Sequence, residues 1–336
     1  MAISFPDSAA PRVASDPALA LLLSSREPAI RYTAMTELLG RPSDDSDAAS
    51  ALGALTTGRV VAGLLAGQQA DGGFGGHPYA KWGGAHWRLV SLVDLRVPPD
   101  TPGLREAAGT VLDWLTSPGH VGRIPVLRGR ARRCASQEGN ALSVATYLGM
   151  SGDARVRQLA ANLVVWQWAD GGWNCDKHPA AAHSSFNESL PPLLGLTRFG
   201  SATQDREAKV AADRAAEFLL AHRIIRSHRT AEIAHPAVVR LCYPPYWHYD
   251  ALAALKALAE SGHISDPRAA DGLDHLEARR RIDGTWHADA YYWRQAGTAG
   301  SNADVVDWGR GGPSEPLTLG ALRVLKAASR WAPRHV

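Results

Sequence analysis

Hydrophobic residues recur at helical spacing in paired segments along most of the chain. The first segment of each pair is polar on one side and predicts an amphipathic helix; these segments are 57–67, 104–116, 153–168, 208–222 and 266–281. The second segment of each pair is more apolar; these segments are 84–96, 137–150, 185–199, 247–261 and 315–330. An N-terminal pair, 17–24 and 28–40, fits the same scheme. The pattern predicts about six helix pairs, with the apolar helices inside, and no β-strands.

Three connections between these segments share one turn sequence. Residues 68–74, 167–173 and 280–286 read QQADGGF, QWADGGW and RRIDGTW. Asp binds nearby backbone amides, and Gly accepts the positive φ with which a chain leaves a helix. Repetition at this scale is typical of stacked helical units. We therefore predict an all-α fold, an (α/α)6 toroid of about six inner and six outer helices, with an open solenoid as the alternative.

Composition limits the classes of function. The chain has 336 residues, which we interpret as one domain over 1–336 with flexible ends at 1–16 and 331–336. A net charge of +3 is too small to indicate a nucleic-acid partner. The absence of a secretory leader and of a long apolar run predicts no transmembrane segment. Three scattered cysteines, Cys134, Cys175 and Cys242, predict reduced thiols and a cytoplasmic location.

The repeated turn resembles the QW repeat of squalene–hopene cyclases, which the β-subunits of protein prenyltransferases share more loosely. The resemblance covers about 55–330 and implies the helical barrel of the terpenoid cyclase and prenyltransferase superfamily. The chain has room for one toroid, and it lacks the Asp-x-Asp-Asp, Asp-Asp-x-x-Asp and zinc-binding motifs of these enzymes. Its acidic run 44–47 is expected to be a solvated loop. The resemblance therefore implies the scaffold and leaves the reaction open.

Polar residues begin the apolar helices and are expected to meet at one mouth of the barrel. From this ring we predict four catalytic residues: His86, Glu188, His248 and Asp250. The same helix starts supply predicted substrate-binding residues, namely Trp87, Glu138, Asn140, Asn187 and Tyr249. The alternative is that the acidic and amide residues only cap helices.

Two loops add positive charge near this mouth. Residues 123–133 and 222–229 are rich in arginine, and Arg132 and Arg133 are predicted to bind substrate. A basic mouth above an apolar cavity would suit an amphipathic anion such as a prenyl diphosphate; solvated loops are the alternative. The long segment 291–315 predicts a lid that brings Asp307 and Glu315 to the cavity. From this segment we add Tyr292, Asp307 and Trp308 to the substrate-binding set.

The segment after the second turn contains possible metal ligands. Cys175, Asp176, His178 and His183 would suit zinc, although their spacing matches no closed motif. A loop with a buried free cysteine is the alternative, and His86, Glu188, His248 and Asp250 form a rival metal set across the barrel. The sequence leaves open whether a divalent metal, zinc or magnesium, is bound.

Three functions remain. The first is an enzyme resembling terpenoid cyclases or prenyltransferases that acts on a hydrophobic, isoprenoid or anionic small molecule by acid–base catalysis. The second is a metal-dependent hydrolase or lyase on the same scaffold. The third is a non-catalytic binder of a lipid-like ligand. The substrate and the oligomeric state are left open.

Overall fold

The computed structural model describes residues 16–300 and 302–333, so most of the two ends predicted to be flexible lies outside it. Within these residues the fold is all-α, as the hydrophobic pattern predicts. The helices are α1 (Pro17–Leu23), α2 (Pro28–Thr33), α3 (Ser46–Gly53), α4 (Arg59–Leu65), α5 (Ala85–Asp94), α6 (Leu104–Thr116), α7 (Pro118–Val121), α8 (Ser136–Tyr147), α9 (Ala154–Trp166), α10 (Phe186–Thr203), α11 (Arg206–Ala221), α12 (Ala251–Glu260), α13 (Ala270–Ala278) and α14 (Glu315–Ala327). Helix α2 continues into a π-helical turn, Ala34–Leu38. None of the described helices combines the length and the apolar character needed to cross a membrane.

The segments predicted as apolar helices correspond to α5, α8, α10, α12 and α14, which we call the apolar helices. Each packs against the next one along the chain, and α14 packs against α1, α2 and the π-helical turn. The polar segments correspond to α4, α6, α9, α11 and α13. Helix α9 contacts both α6 and α11, so these three polar helices pack in chain order. One hydrophobic cluster includes buried residues from every described helix except α3 and α7.

Helices α8 and α10 approach each other most closely at two glycines. A Cβ atom on Gly139 would lie 2.3 Å from the backbone nitrogen of Pro192, and one on Gly195 would lie 2.4 Å from the carbonyl oxygen of Gly139. Pro191 and Pro192 lie inside α10 and have no N–H to satisfy there. This contact brings the two backbones together where the wall of the cavity described below is built.

The three repeated turns have the same hydrogen bonds. In the second turn, Gly171 donates to the carbonyl of Trp168 at 3.0 Å and Trp168 donates to that of Gly172 at 2.8 Å. The first and third turns repeat both bonds. The aromatic residue then packs back on the preceding polar helix, since Trp173 Nε1 donates to the Leu163 carbonyl at 2.9 Å and Trp286 Nε1 to that of Leu276 at 2.7 Å.

Each turn also binds the polar helix that begins the next unit. Gln68 Nε2 donates to the Gly103 carbonyl at 2.6 Å, and Gln167 Nε2 to that of Ala211 at 2.8 Å. In the third turn Arg280 replaces the glutamine and binds Asp16, the N-cap of α1, with its Nη2 atom 3.1 Å from Asp16 Oδ2. The last turn is therefore tied to the first described helix.

Two local predictions are wrong. The acidic run 44–47 starts α3, because Asp45 Oδ1 accepts hydrogen bonds from the amides of Asp47 and Ala48. The basic loop 123–133 contains a hairpin of β1 (Val126–Leu127) and β2 (Arg130–Ala131). Its two turn residues, Arg128 and Gly129, both have positive φ, as a two-residue hairpin turn requires.

Candidate functional site

A cavity of about 530 Å³ lies between the apolar helices. Its walls come from all five apolar helices and from the π-helical turn, and the segment 243–248 before α12 completes them. Much of the wall is aliphatic, with contributions from Val90, Val93, Val144, Leu190, Leu194, Ala253 and Ala257. The volume lies within the roughly 300–1,000 Å³ typical of small-molecule sites.

The segment 243–248 places an imidazole at the cavity wall. His248 is stacked between Trp247 and Tyr292, with its plane within 3° of the Tyr292 ring. Its Nδ1 lies 3.0 Å from the Pro245 carbonyl, which can only accept, so Nδ1 carries the proton. Burial lowers the pKa of His248 to about 4. The ring is therefore neutral near pH 7, and the lone pair is on Nε2.

Ion pairs surround the part of the cavity near the carboxyl ends of α5 and α12. Asp94 binds Lys256 with 2.5 Å between Oδ1 and Nζ, and Tyr243 Oη donates to Asp94 Oδ2 at 3.0 Å. Burial opposes ionisation of Asp94, but Lys256 outweighs it and the pKa of Asp94 falls to about 2. The other pairs are Glu37 with Arg96 and with Arg323, and Arg198 with Glu260. Four cationic and three acidic side chains therefore line the cavity, with an excess of one positive charge.

One polar group on the wall has an unused donor. Asn140 lines the cavity, and its buried Nδ2 has no hydrogen-bond partner among the residues that the structure describes. A buried N–H without a partner costs about 1–3 kcal/mol.

Of the four predicted catalytic residues, only His248 lines this cavity. Asp250 is the N-cap of α12: Oδ1 accepts from the Ala253 amide at 2.8 Å, and Oδ2 accepts from the Cys242 amide at 3.0 Å. Burial raises the pKa of Asp250. Asp250 is therefore a helix cap and not the predicted catalytic acid, because backbone amides and the Cys242 thiol already donate to its oxygens.

His86 and Trp87 lie behind the cavity wall. His86 is buried against Tyr79 and Trp87, and neither ring nitrogen has a hydrogen-bond partner in the described part of the chain. Burial lowers the pKa of His86 to about 3. Trp87 packs with Trp82 and Tyr246 in an aromatic cluster. Both residues therefore contribute to packing here and do not reach the cavity.

Glu188 and Glu138 belong to a second buried polar cluster, at the starts of α8 and α10. Glu188 Oε2 accepts from the Ser136 amide at 3.0 Å, and burial raises the pKa of Glu188. Glu138 is paired with Arg133, whose Nε lies 2.7 Å from Glu138 Oε1. The four side chains His86, Glu188, His248 and Asp250 thus occupy separate environments and do not form the rival metal set.

Four arginines of the predicted basic mouth make internal contacts. Arg132 and Arg133 are buried; Arg132 Nη1 donates to the Ala181 carbonyl at 3.0 Å and its guanidinium lies over Trp168. In the second basic loop, Arg223 and Arg226 both bind Asp271. The positive charge that faces the cavity comes from other residues.

The remaining predicted substrate-binding residues also form internal contacts. Asn187 Oδ1 accepts from the Tyr249 amide at 2.8 Å, and Tyr249 Oη donates to the Ile224 carbonyl at 2.6 Å. In the long segment, Asp307 Oδ1 accepts from the Gly309 amide, and Trp308 Nε1 donates to Asp304. Glu315 accepts from Ser25 Oγ at 2.6 Å and does not line the cavity. Tyr292 reaches the cavity only through its stack on His248.

The predicted zinc ligands separate. Asp176 Oδ1 accepts from the His178 amide at 2.8 Å, and Asp176, His178 and His183 are exposed. Cys175 instead points to a different pair, Cys134 and Glu188. Within the described residues this trio is the one group of three metal-ligating side chains whose ligand atoms all lie within 4.8 Å of one another. Cys134 was not among the predicted ligands, because it is 41 residues from Cys175 in sequence.

The charged wall residues were also missed. Asp94, Arg198, Lys256 and Arg323 interrupt segments that are otherwise apolar, and they face the cavity. A charge within a buried helix requires a partner or a water-filled space. These interruptions were therefore the available signal, whereas the residues predicted from the sequence lie at the helix starts and in the loops.

No protein-family model and no curated protein matches this chain.

Proposed function

We propose that the helix pairs close into a single-domain (α/α)6 toroid of the terpenoid cyclase and prenyltransferase type. Two observations support closure. Helix α14 packs against α1 and α2, and Arg280 of the last turn binds Asp16 at the start of α1. The shared bonding of the three turns supports the resemblance to the repeats of that superfamily.

The function that the site supports best is that of an enzyme for an amphipathic small molecule with a hydrocarbon body and one anionic group. The observation that carries this proposal is the composition of the cavity wall: aliphatic along the helices, with an excess of one positive charge at the ion pairs. The hydrocarbon would lie against Leu190 and Leu194, and the anionic group would compete for Arg198 or Lys256. An isoprenoid diphosphate has both features.

His248 is the general base of this proposal. It lines the cavity, is neutral near pH 7 and has its Nε2 lone pair available, so it can accept a proton from a bound substrate. The carboxylates on the wall are less suited to this role because each is held by a cationic partner. His248 therefore replaces Asp250 as the proposed catalytic residue.

Binding of farnesyl diphosphate, farnesol and inorganic diphosphate, measured by titration calorimetry, tests the substrate class. We expect farnesyl diphosphate to bind at least about tenfold more tightly than either fragment. A Leu194→Trp variant, which fills the cavity, should abolish binding, whereas Val165→Trp, at a position 79% exposed, should not. If farnesyl diphosphate bound the Leu194→Trp variant as tightly as the wild type, the cavity would be ruled out as the binding site.

A further inference from the structure

The cluster of Cys134, Cys175 and Glu188 lies outside the wall of the cavity. Cys134 lies two residues before α8, Cys175 follows the second repeated turn, and Glu188 is in the first turn of α10. The three ligand atoms lie within 4.8 Å of one another, and Cys175 Sγ lies 3.5 Å from Glu188 Oε1. The fold therefore brings three separate segments of the chain to one point.

We propose that these three side chains form a zinc site, with the two cysteine sulfurs and one Glu188 oxygen as ligands. Zinc takes thiolate sulfur at about 2.3 Å and carboxylate oxygen at about 2.0–2.2 Å in a tetrahedral arrangement. Tetrahedral ligands at those lengths lie about 3.5–3.8 Å apart. The observed spacing of Cys175 and Glu188 already meets this requirement.

The charge balance around Glu188 also favours a cation. Glu188 is 7% exposed, and no lysine or arginine forms a salt bridge with it in the described part of the chain. The neighbouring Arg133 is committed to Glu138. A buried carboxylate without a positive partner is costly, and a divalent ion would offset that cost.

The chemistry of binding is simple. Zn²⁺ replaces the thiol protons of Cys134 and Cys175, and the two protons pass to solvent. Both cysteines are partly exposed, which allows the ion to enter. Three protein ligands leave a fourth position for water, the arrangement of catalytic zinc sites.

The test uses the full chain, reduced and metal-free, titrated with Zn²⁺ and separately with Co²⁺. We expect one zinc per chain by mass spectrometry of the metal, a rise in melting temperature, and thiolate-to-cobalt charge-transfer absorption. Cys134→Ser, Cys175→Ser and Glu188→Gln should each weaken zinc binding by at least about 100-fold, more than the loss of an outer partner costs. Asp176→Asn is the matched control, because the asparagine side chain keeps the oxygen that accepts from the His178 amide. This variant protein should bind zinc as tightly as the wild type.

Two results would overturn the proposal. In the first, the reduced chain takes up no zinc at micromolar concentration. If added diamide then joins Cys134 and Cys175 in a disulfide, with the two electrons and two protons passing to diamide, the cluster would be a redox pair. In the second, zinc binds equally well to the three variants, so that the ion lies elsewhere. Because this cluster does not line the cavity, neither result bears on farnesyl diphosphate binding.

Discussion

Lys256 Nζ lies 2.5 Å from Asp94 Oδ1, so one ion pair joins α12 to α5 at the cavity wall. The same carboxylate accepts from Tyr243 Oη, which ties the segment before α12 to the pair. This contact connects the stability of the fold to the charge inside the cavity, because the side chains that hold the helices together also face the proposed ligand.

Removing Lys256 should destabilise the fold. We expect Lys256→Met to lower the free energy of unfolding by about 1.5–3 kcal/mol, the range for a hydrogen bond to a charged group. A double-mutant cycle with Asp94→Asn, by chemical denaturation, measures the coupling. The pKa of Asp94 is lowered to about 2 from its ordinary 3.8, so the coupling should be complete above about pH 5 and be lost progressively as the pH falls through 2. If the effects of Lys256→Met and Asp94→Asn on the free energy of unfolding simply added at pH 7, this prediction would be contradicted.

His86 should make the protein sensitive to acid. Its pKa in the fold is about 3, below the ordinary 6.5, so the unfolded chain takes up the proton first as the pH falls. Above pH 6.5 His86 does not lower the free energy of unfolding. Between pH 6.5 and pH 3 this residue alone should lower the free energy of unfolding by about 1.4 kcal/mol for each pH unit. His86→Phe should remove that slope. It should leave the stability at pH 7 equal or higher, because the variant lacks the two buried ring nitrogens that have no hydrogen-bond partner. The exposed His178→Phe variant is the control and should keep the wild-type slope.

The second repeated turn requires a glycine. Gly171 has φ +94°, and a Cβ atom there would lie 2.3 Å from the Arg214 carbonyl oxygen. We expect Gly171→Ala to cost at least about 2 kcal/mol, from backbone strain and overpacking together. Gly109→Ala, in α6 with open space around it, should instead stabilise the protein by up to about 1 kcal/mol. Similar melting temperatures for the two variants would contradict the proposed packing of the turn.

Asp16 should contribute more than a helix cap. It caps α1 through the Ala18 amide, binds Arg280, and accepts from Trp331 Nε1 at 2.9 Å. Asp205 caps α11 through the Ala208 amide alone and is the matched control. Asp205→Ala should cost about 0.5–2 kcal/mol, and Asp16→Ala should cost at least about 1 kcal/mol more in denaturant unfolding. Equal losses would mean that the contact between the last turn and α1 contributes nothing to the stability of the proposed ring.

His248 should be required for turnover and not for binding. His248→Phe keeps a flat ring between Trp247 and Tyr292 but removes Nε2. With farnesyl diphosphate as substrate, product formation should fall by about 10²–10⁴-fold, the usual contribution of a general acid or base, while the dissociation constant changes less than about threefold. Gas chromatography of the products and calorimetry separate the two quantities. Unchanged turnover would reject His248 as the catalytic residue, and binding without turnover in the wild type would favour the lipid-binder alternative.

The helices and the repeated turns follow from local chemistry. The spacing of apolar residues predicts where α6, α9 and α14 lie, because a helix that buries one face must repeat every 3.6 residues. The Asp-Gly turns were also predictable, since positive φ at Gly171 requires glycine. The short helix α3 and the hairpin 126–131 were missed because neither is long enough to establish a period.

The site depended on tertiary structure. Whether Asp250 is a cap or a catalytic acid is decided by the orientation of one carboxylate toward Cys242 and Ala253, which sequence spacing does not specify. The pairing of Asp94 with Lys256, and the approach of Cys134 to Cys175, join segments far apart in the chain. The sequence by itself therefore determined the helices, their amphipathic faces and the turns, all of which depend on neighbours within a few residues. Only packing decided which charges share the cavity and which thiols meet, because those contacts arise when whole helices come together.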